Sequence, residues 1–246
     1  MACPYCSDSG WEYFTDDNGE RRVKKCRCGL IDKSIYEDRV RFADIPLVYK
    51  DANIREFSHL EYKDATNMAL ADQVKKITNY WFKHREEMIE EGQGLYISSV
   101  TKGSGKTRFM AGLANELLHR YKMQVKFITS LQILSEIKES WRNNDDVSEV
   151  EIINRLSDVE VLFIDDFGTE DGEKDWIKDR FYQLINDRYL NNKPTFFTSN
   201  HPLDELNYDE RIKSRIEEKC IEIHFPEESI RTKLKNEMLI RVINEQ

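Results

Sequence analysis

No apolar run in this chain approaches the ~20 residues that a membrane-spanning helix needs. The opening stretch MACPYCSDSG has neither the basic nor the apolar region of a secretory signal, so the expectation is a cytoplasmic protein that meets no membrane. An internal repeat and a low-complexity tract are also missing, which argues against a solenoid or a biased tail. Positive charge is in deficit: 37 Lys and Arg stand against 46 Asp and Glu, a net charge of −9. That balance argues against a dominant nucleic-acid surface but leaves local patches open. Residues 21–27 and 231–235 are two basic clusters, each of which reads equally as a solvated face. Cysteine is scarce outside the first 28 residues, which hold four of the five. In a cytosolic chain such clustering points to a metal before disulfides. Cys220, alone, is expected to be a buried structural cysteine.

The 246 residues, 39% hydrophobic and 34% charged, suffice for one mid-sized domain and a small module. Composition divides them into a head (1–45), a bridge (46–90) and a body (91–246). In the head, Asp17-Asn18-Gly19 is a hairpin signal between GWEYF and RRVKK. A helix is expected over 31–42. Cys3, Cys6, Cys26 and Cys28 sit in pairs at the outer ends of the hairpin, where four thiolates close a tetrahedron around Zn²⁺. A module this small has little core, so metal would hold it folded. The single-residue spacing of the second pair is less usual than CxxC, and an iron–sulfur cluster or free thiols are the alternatives.

The bridge reads as extended IPLVYKDANIREF followed by one long helix to Glu90. Met68, Leu70, Val74, Ile77, Trp81 and Phe82 recur at helical spacing, the pattern of a core face. The body alternates short apolar strands with helices and closes on a helix from Ser229 onward. That alternation predicts an α/β fold, a parallel sheet covered by helices.

The chemistry-bearing stretch is VTKGSGKT, a match to GxxxxGK[ST] that lacks only the first glycine, replaced by Val100. It lies between a strand and a helix, where backbone amides and the helix dipole attract phosphate. Lys102, Gly103, Ser104, Gly105, Lys106, Thr107 and Arg108 are the expected nucleotide-binding residues. Lys106 serves the β- and γ-phosphates, and the Thr107 hydroxyl serves Mg²⁺. Some sixty residues on, VEVLFIDDFG ends a buried strand in two acids. Asp165 is expected to bind the Mg²⁺ shell and Asp166 to orient the attacking water. PTFFTSN ends a third strand near Asn200, placed to position water or sense the γ-phosphate. Each of these polar residues is also an ordinary turn residue in isolation; the three together point to a working nucleotide site.

Together these three motifs resemble the AAA+ ATPases, and more closely the DnaC/DnaI-like replicative helicase loaders and their phage relatives, with IstB-like ATPases nearby. The resemblance extends through CPYC…CRCG, IPLVYKDANIREF, LFIDDFGTE, DERIKSRIEE and SIRTKLKNE. It implies an AAA+ P-loop ATPase preceded by a small zinc-binding module that engages the helicase. It further implies that Arg215, with Arg211 as second candidate, is an arginine finger reaching a neighbouring subunit, and that Arg231 is a sensor 2 arginine. The segment between the second strand of the body and the two acids corresponds to the family's contact with single-stranded DNA. There Lys138, Trp141 and Arg142 are candidate contacts, or else a helix packed on the sheet with Trp141 in the core. Val100 for glycine and Asp166 for the more common glutamate imply slow hydrolysis. The competing readings are an IstB-like transposition ATPase and a non-hydrolysing nucleotide-binding adaptor.

Overall fold

Asp16 closes the first hairpin. Its carboxylate accepts the backbone N–H groups of Asn18 (3.0 Å) and Glu20 (2.9 Å). Gly19 takes a φ of +82°, a left-handed position that glycine adopts without a Cβ clash. The turn joins β1 (Trp11–Thr15) to β2 (Arg21–Lys25), antiparallel, with Trp11 opposite Lys25 and Thr15 opposite Arg21. Helix α1 (Leu30–Ala43) follows. These elements form a unit that ends at Ala43, and a second unit begins at Asp44. The structure, a computed structural model, describes residues 2–58, 62–142, 148–169 and 175–232.

The second unit is built on five parallel strands: β3 (Gly94–Ser98), β4 (Val125–Thr129), β5 (Val161–Phe167), β6 (Thr195–Ser199) and β7 (Cys220–His224). Their order across the sheet is β4-β5-β6-β3-β7, every neighbouring pair parallel. The central strands are apolar without alternation because helices cover both faces. The helices of this unit are α2 (Ala65–Lys83), α3 (Arg85–Glu90), α4 (Lys106–Asn115), α5 (Ser130–Arg142), α6 (Glu149–Asp158), α7 (Asp175–Leu190) and α8 (Glu210–Lys219). None of the described helices is long and apolar enough to cross a membrane.

Aromatic rings knit the core on two sides. Phe127, Phe163, Phe196 and Trp81 follow one another across β4, β5, β6 and α2, with centroids 6.4, 4.7 and 5.2 Å apart. Phe167 meets Phe197, Phe181 and Tyr208 at 5.1, 5.4 and 4.9 Å. Between β6 and α7 lies a buried charge. The Arg188 guanidinium, 1% exposed, donates to the carbonyls of Leu156, Ser157, Val159 and Pro194 and to the Thr195 hydroxyl.

Two expectations for the bridge are corrected. The stretch read as extended is two 3₁₀ turns, Leu47–Tyr49 and Ile54–Glu56. It curls because the Asn115 side-chain amide donates to the carbonyls of Tyr49 (3.0 Å) and Ala52 (2.9 Å). The Asn53 side chain caps the second turn. The single long helix is in fact two, α2 and α3, divided at His84, which leaves the helical region at φ −103°, ψ 23°. Of its expected core face, Val74 and Trp81 are buried and Met68, Leu70, Ile77 and Phe82 are half-buried. The helix after the phosphate-loop motif also ends sooner than its pattern suggests, passing at Glu116 into one π turn.

Candidate functional site

The loop between β3 and α4 is shaped by its two glycines. Gly103 has φ +81° and Gly105 φ +105°, conformations that most side chains resist. A Cβ on Gly103 would also lie 3.1 Å from both Arg231 Cβ and Ser229 Oγ. Gly105 caps α4, whose first amides have no acceptor within the helix and point toward the loop. The Ser104 hydroxyl, fully buried, has no hydrogen-bond partner among the described residues. An anion seated on this helix end would supply one. Val100, at the position of the missing glycine, is 62% exposed and has no positive φ, so its side chain obstructs nothing.

The Lys106 side chain folds back onto its own loop. Its Nζ donates to the Ser99 carbonyl at 2.9 Å and the Thr101 carbonyl at 3.4 Å. Burial lowers its pKa; the charges of Glu227, Asp166 and Asp165 oppose that and favour the ammonium. The Thr107 hydroxyl donates to Asp165 Oδ1 at 3.1 Å. A hydroxyl and a carboxylate side by side are hard oxygen donors of the kind Mg²⁺ takes. Asp165 is 4% exposed, and burial pushes its carboxyl up to about 6. The neighbouring Asp166 charge pushes the same way, while hydrogen bonds from Thr198 and Thr107 resist.

The two acids end the strand differently because the strand is not regular: Asp166 lines the cleft described below, and Asp165 is buried behind Thr107. Successive side chains on a strand point to opposite faces. Between Ile164 and Phe167 the pairing of β5 with β6 shifts, with Phe167 opposite Ser199 and Ile164 opposite Phe197. The bulge carries Asp165 and Asp166, and Asp166 adopts φ +54°. Its backbone is held on both sides. The N–H donates to Thr198 Oγ1 at 3.0 Å, and the carbonyl accepts the hydroxyls of Ser130 (2.9 Å) and Thr169 (2.8 Å). Thr198 also donates its hydroxyl to Asp165 Oδ1. It is therefore the hinge of the acid pair, a role not read from the sequence. Its position inside TSN, two residues before Asn200 and on the opposite strand parity to Ser199, was the available signal.

The loop and Asp166 border one cleft of about 860 Å³; Asp165 does not line it and meets it only through its hydrogen bond with Thr107. Lys102, Gly103, Ser104, Gly105, Lys106, Thr107, Arg108, Asp166, Asn200 and Arg231 all line it. Arg108 pairs at the surface with Glu56 at 3.0 Å. The opposite wall was not anticipated. Val48, Tyr49, Ala52, Asn53 and Phe57 come from the two 3₁₀ turns of the bridge and Tyr62 follows them. Phe57 packs against Phe109 and Phe225 with tilted rings, centroids 4.8 and 5.3 Å apart. The cleft thus has a cationic, amide-rich end and an apolar end, the division a nucleoside phosphate requires.

Other expected residues lie elsewhere. Arg215 does not line the cleft. It donates to Asn186 Oδ1 (2.8 Å), the Arg211 carbonyl (2.9 Å) and the Tyr182 hydroxyl (3.1 Å). Arg211 pairs with Asp209, whose carboxyl it holds down at about 2, and lies over the Tyr182 ring. Trp141 is not a core residue: it is 51% exposed, its ring centroid 4.9 Å from that of Trp176 and its indole N–H 2.6 Å from Glu149 Oε2. Lys138 lies over Trp176 at 5.5 Å, and Arg142 is exposed. Cys220 is half-buried on β7, with its thiol on the Thr195 carbonyl. The closing helix is described only through Thr232. The rest of the helix expected there, the rest of the basic cluster 231–235 and residues 170–174 lie outside the described residues.

In the first unit the four sulfurs of Cys3, Cys6, Cys26 and Cys28 lie within 4.8 Å of one another. Cys3 and Cys26 are 3.8 Å apart, Cys6 and Cys28 3.6 Å. A tetrahedron with metal–sulfur bonds of ~2.3 Å has edges of about 3.8 Å, so the cluster fits a tetrathiolate metal ion. A disulfide would bring one pair to ~2.05 Å. A hydrogen bond from the Tyr5 amide leads the causes that lower the Cys3 thiol to about 7, whereas burial raises the Cys6 thiol.

The profile of the bacterial DnaA ATPase domain matches residues 68–222. The phage-like element PBSX protein XkdC of Bacillus subtilis (strain 168) is 26% identical over 224 residues, 89% of this chain and 79% of that protein. The replicative helicase loader DnaC of Escherichia coli (strain K12) is 33% identical over 135 residues, 53% of this chain and 54% of that one, so the match spans about half of each. A crystal structure of the DnaC helicase loader superposes with a TM-score of 0.57 at 19% identity, covering 73% of this chain and 99% of that one. The last likeness concerns the fold alone.

Proposed function

The chain belongs to the bacterial DnaA ATPase domain family, and on that premise we propose that it is an ATP-dependent loader of a replicative DNA helicase. The observation that carries the proposal is the convergence on one cleft of the phosphate loop, Asp166, Asn200 and Arg231, with Asp165 hydrogen-bonded behind Thr107. In this reading ATP lies with its base against Tyr49 and Phe57 and its phosphates at the start of α4. Lys106 leaves the Ser99 carbonyl for the phosphates. Thr107 and Asp165 would hold Mg²⁺, which, when bound, neutralises charge on the phosphates. Asp166 accepts a hydrogen bond from the attacking water and orients it, Asn200 steadies that water, and Arg231 lies over the phosphates in cis.

The remaining roles rest on the resemblance. Arg215 acts on a neighbouring subunit's nucleotide once it leaves Asn186 and Tyr182. Lys138, Trp141 and Arg142 touch single-stranded DNA, with Trp141 exposed for stacking. The cysteine unit holds Zn²⁺ and grips the helicase. The test is whether the purified protein binds a replicative helicase and changes its assembly on single-stranded DNA when ATP and Mg²⁺ are supplied. Absence of both effects would sink the loader reading, and duplex-DNA filaments without helicase binding would favour an IstB-like role. Turnover no higher than that of Lys106→Ala would favour the adaptor.

A further inference from the structure

The stretch after β7 follows the phosphate loop almost residue for residue. Phe225 N–H donates to the Ser98 carbonyl at 2.7 Å, and the Ser99 hydroxyl oxygen lies 3.3 Å from the Pro226 carbonyl. The Glu227 carboxylate then accepts three hydrogen bonds, from the Val100 N–H (3.0 Å), the Thr101 N–H (2.8 Å) and the Ser99 hydroxyl (3.0 Å). Further on, the N–H groups of Ile230 and Arg231 donate to the Gly103 carbonyl at 3.1 and 3.3 Å. Glu227 is itself anchored from outside the cleft: its N–H donates to Asn67 Oδ1, at the start of α2, at 2.7 Å.

We propose that Glu227 is a positioning residue of the nucleotide site, bracing the loop where its first glycine is replaced by Val100 and fixing Arg231 over the cleft. The physical case has three parts. A carboxylate that accepts two adjacent backbone N–H groups fixes the dihedral angles between them, and charge-assisted bonds of this kind are roughly twice as strong as neutral ones. Glu227 and Arg231 are four residues apart on one short stretch, so a brace at one end limits the travel of the other. The brace also holds the exit from β3, the position at which a P-loop ordinarily relies on glycine. Glu227 touches the loop's entry and not its phosphate-facing centre, so it acts through the loop and through Arg231.

The proposal rests on the nucleotide-binding reading, and the experiment separates the two. Binding of ATP and of ADP, each with Mg²⁺, would be measured by calorimetry on the full chain for the wild type, Lys106→Ala, Glu227→Gln, Glu227→Ala, Arg231→Ala and the Glu227→Ala/Arg231→Ala double variant. Glu227→Ala is expected to weaken ATP about tenfold and ADP by less, reducing the preference for ATP as Arg231→Ala does. Glu227→Gln, which keeps an acceptor oxygen, is expected to lose about threefold. The double variant is expected to be no weaker than the weaker single one, because both changes remove the same restraint. Additive losses, or wild-type ATP preference in Glu227→Ala, would overturn the proposal while Lys106→Ala still abolishes binding. Unchanged binding in Lys106→Ala would overturn the nucleotide site itself. If Glu227→Ala unfolds, Asn67→Ala removes the anchor instead. A reduced ATP preference in that variant supports the brace, and a wild-type preference contradicts it.

Discussion

Asp165 carries opposing demands. Its burial favours the neutral acid, whereas a magnesium ligand must be ionised. Its folded-state pKa, about 6, lies above the ordinary aspartate value of 3.8. The stabilising contribution is therefore fully present below about pH 4 and is lost as pH rises through 6, about 3 kcal/mol in all. Asp165→Asn should remove this pH dependence and raise the stability of the nucleotide-free protein at pH 8 by 1–3 kcal/mol, roughly the span of the shift. Urea unfolding of both proteins from pH 4 to 8 checks it, and parallel curves would contradict it. The same variant should lose Mg²⁺-dependent nucleotide binding, an exchange of stability for function. Asp166→Asn should differ in kind, keeping ATP·Mg²⁺ binding and losing turnover, because it preserves size and polarity and removes only the charge facing water. Equal loss of binding and turnover would mean the two acids have other roles. Both acids were legible in the sequence from their place at the end of an apolar run. The bulge that sets Asp166 in the cleft and leaves Asp165 buried behind Thr107 was not, since it depends on the pairing of β5 with β6 and on the Thr198 hydroxyl, which are separated along the chain.

At the scale of elements, strand–helix alternation predicted the parallel sheet covered by helices that the second unit has. The bridge resisted because its conformation comes from a distant partner. Without Asn115 holding the carbonyls of Tyr49 and Ala52, the stretch 46–57 reads as extended, and so the apolar wall of the cleft went unseen. Arg188 was hidden for a similar reason. In sequence it is one charge among many on α7, yet in the fold it gathers four carbonyls from the end of α6, the approach to β5 and the start of β6. Arg188→Met should leave those acceptors unpaired and destabilise the second unit by about 3–5 kcal/mol, measured as the shift in denaturant midpoint at constant slope. A loss under about 1 kcal/mol would mean that water replaces the guanidinium without cost.

The whole molecule is two units with separate means of staying folded. The second has a sheet, two aromatic cores and the cleft. The first has a two-stranded hairpin, one helix and four convergent thiols, and on the proposed reading a metal ion on those thiols would hold it folded. Deleting residues 1–43 should leave a body that unfolds cooperatively and binds ATP with unchanged affinity, read by calorimetry, while a chelator should melt the hairpin of the intact chain and leave the body's transition in place. Simultaneous loss of both transitions would contradict independent folding.

The central claim is that ATP bound at this cleft drives helicase loading. Its most direct test is the rate at which a replicative helicase assembles on circular single-stranded DNA, followed by DNA unwinding, with wild-type protein and with Lys106→Ala. Wild type with ATP and Mg²⁺ should accelerate assembly, and Lys106→Ala, folded but unable to hold the phosphates, should not. Equal acceleration by the two proteins, or none by either, would contradict the account.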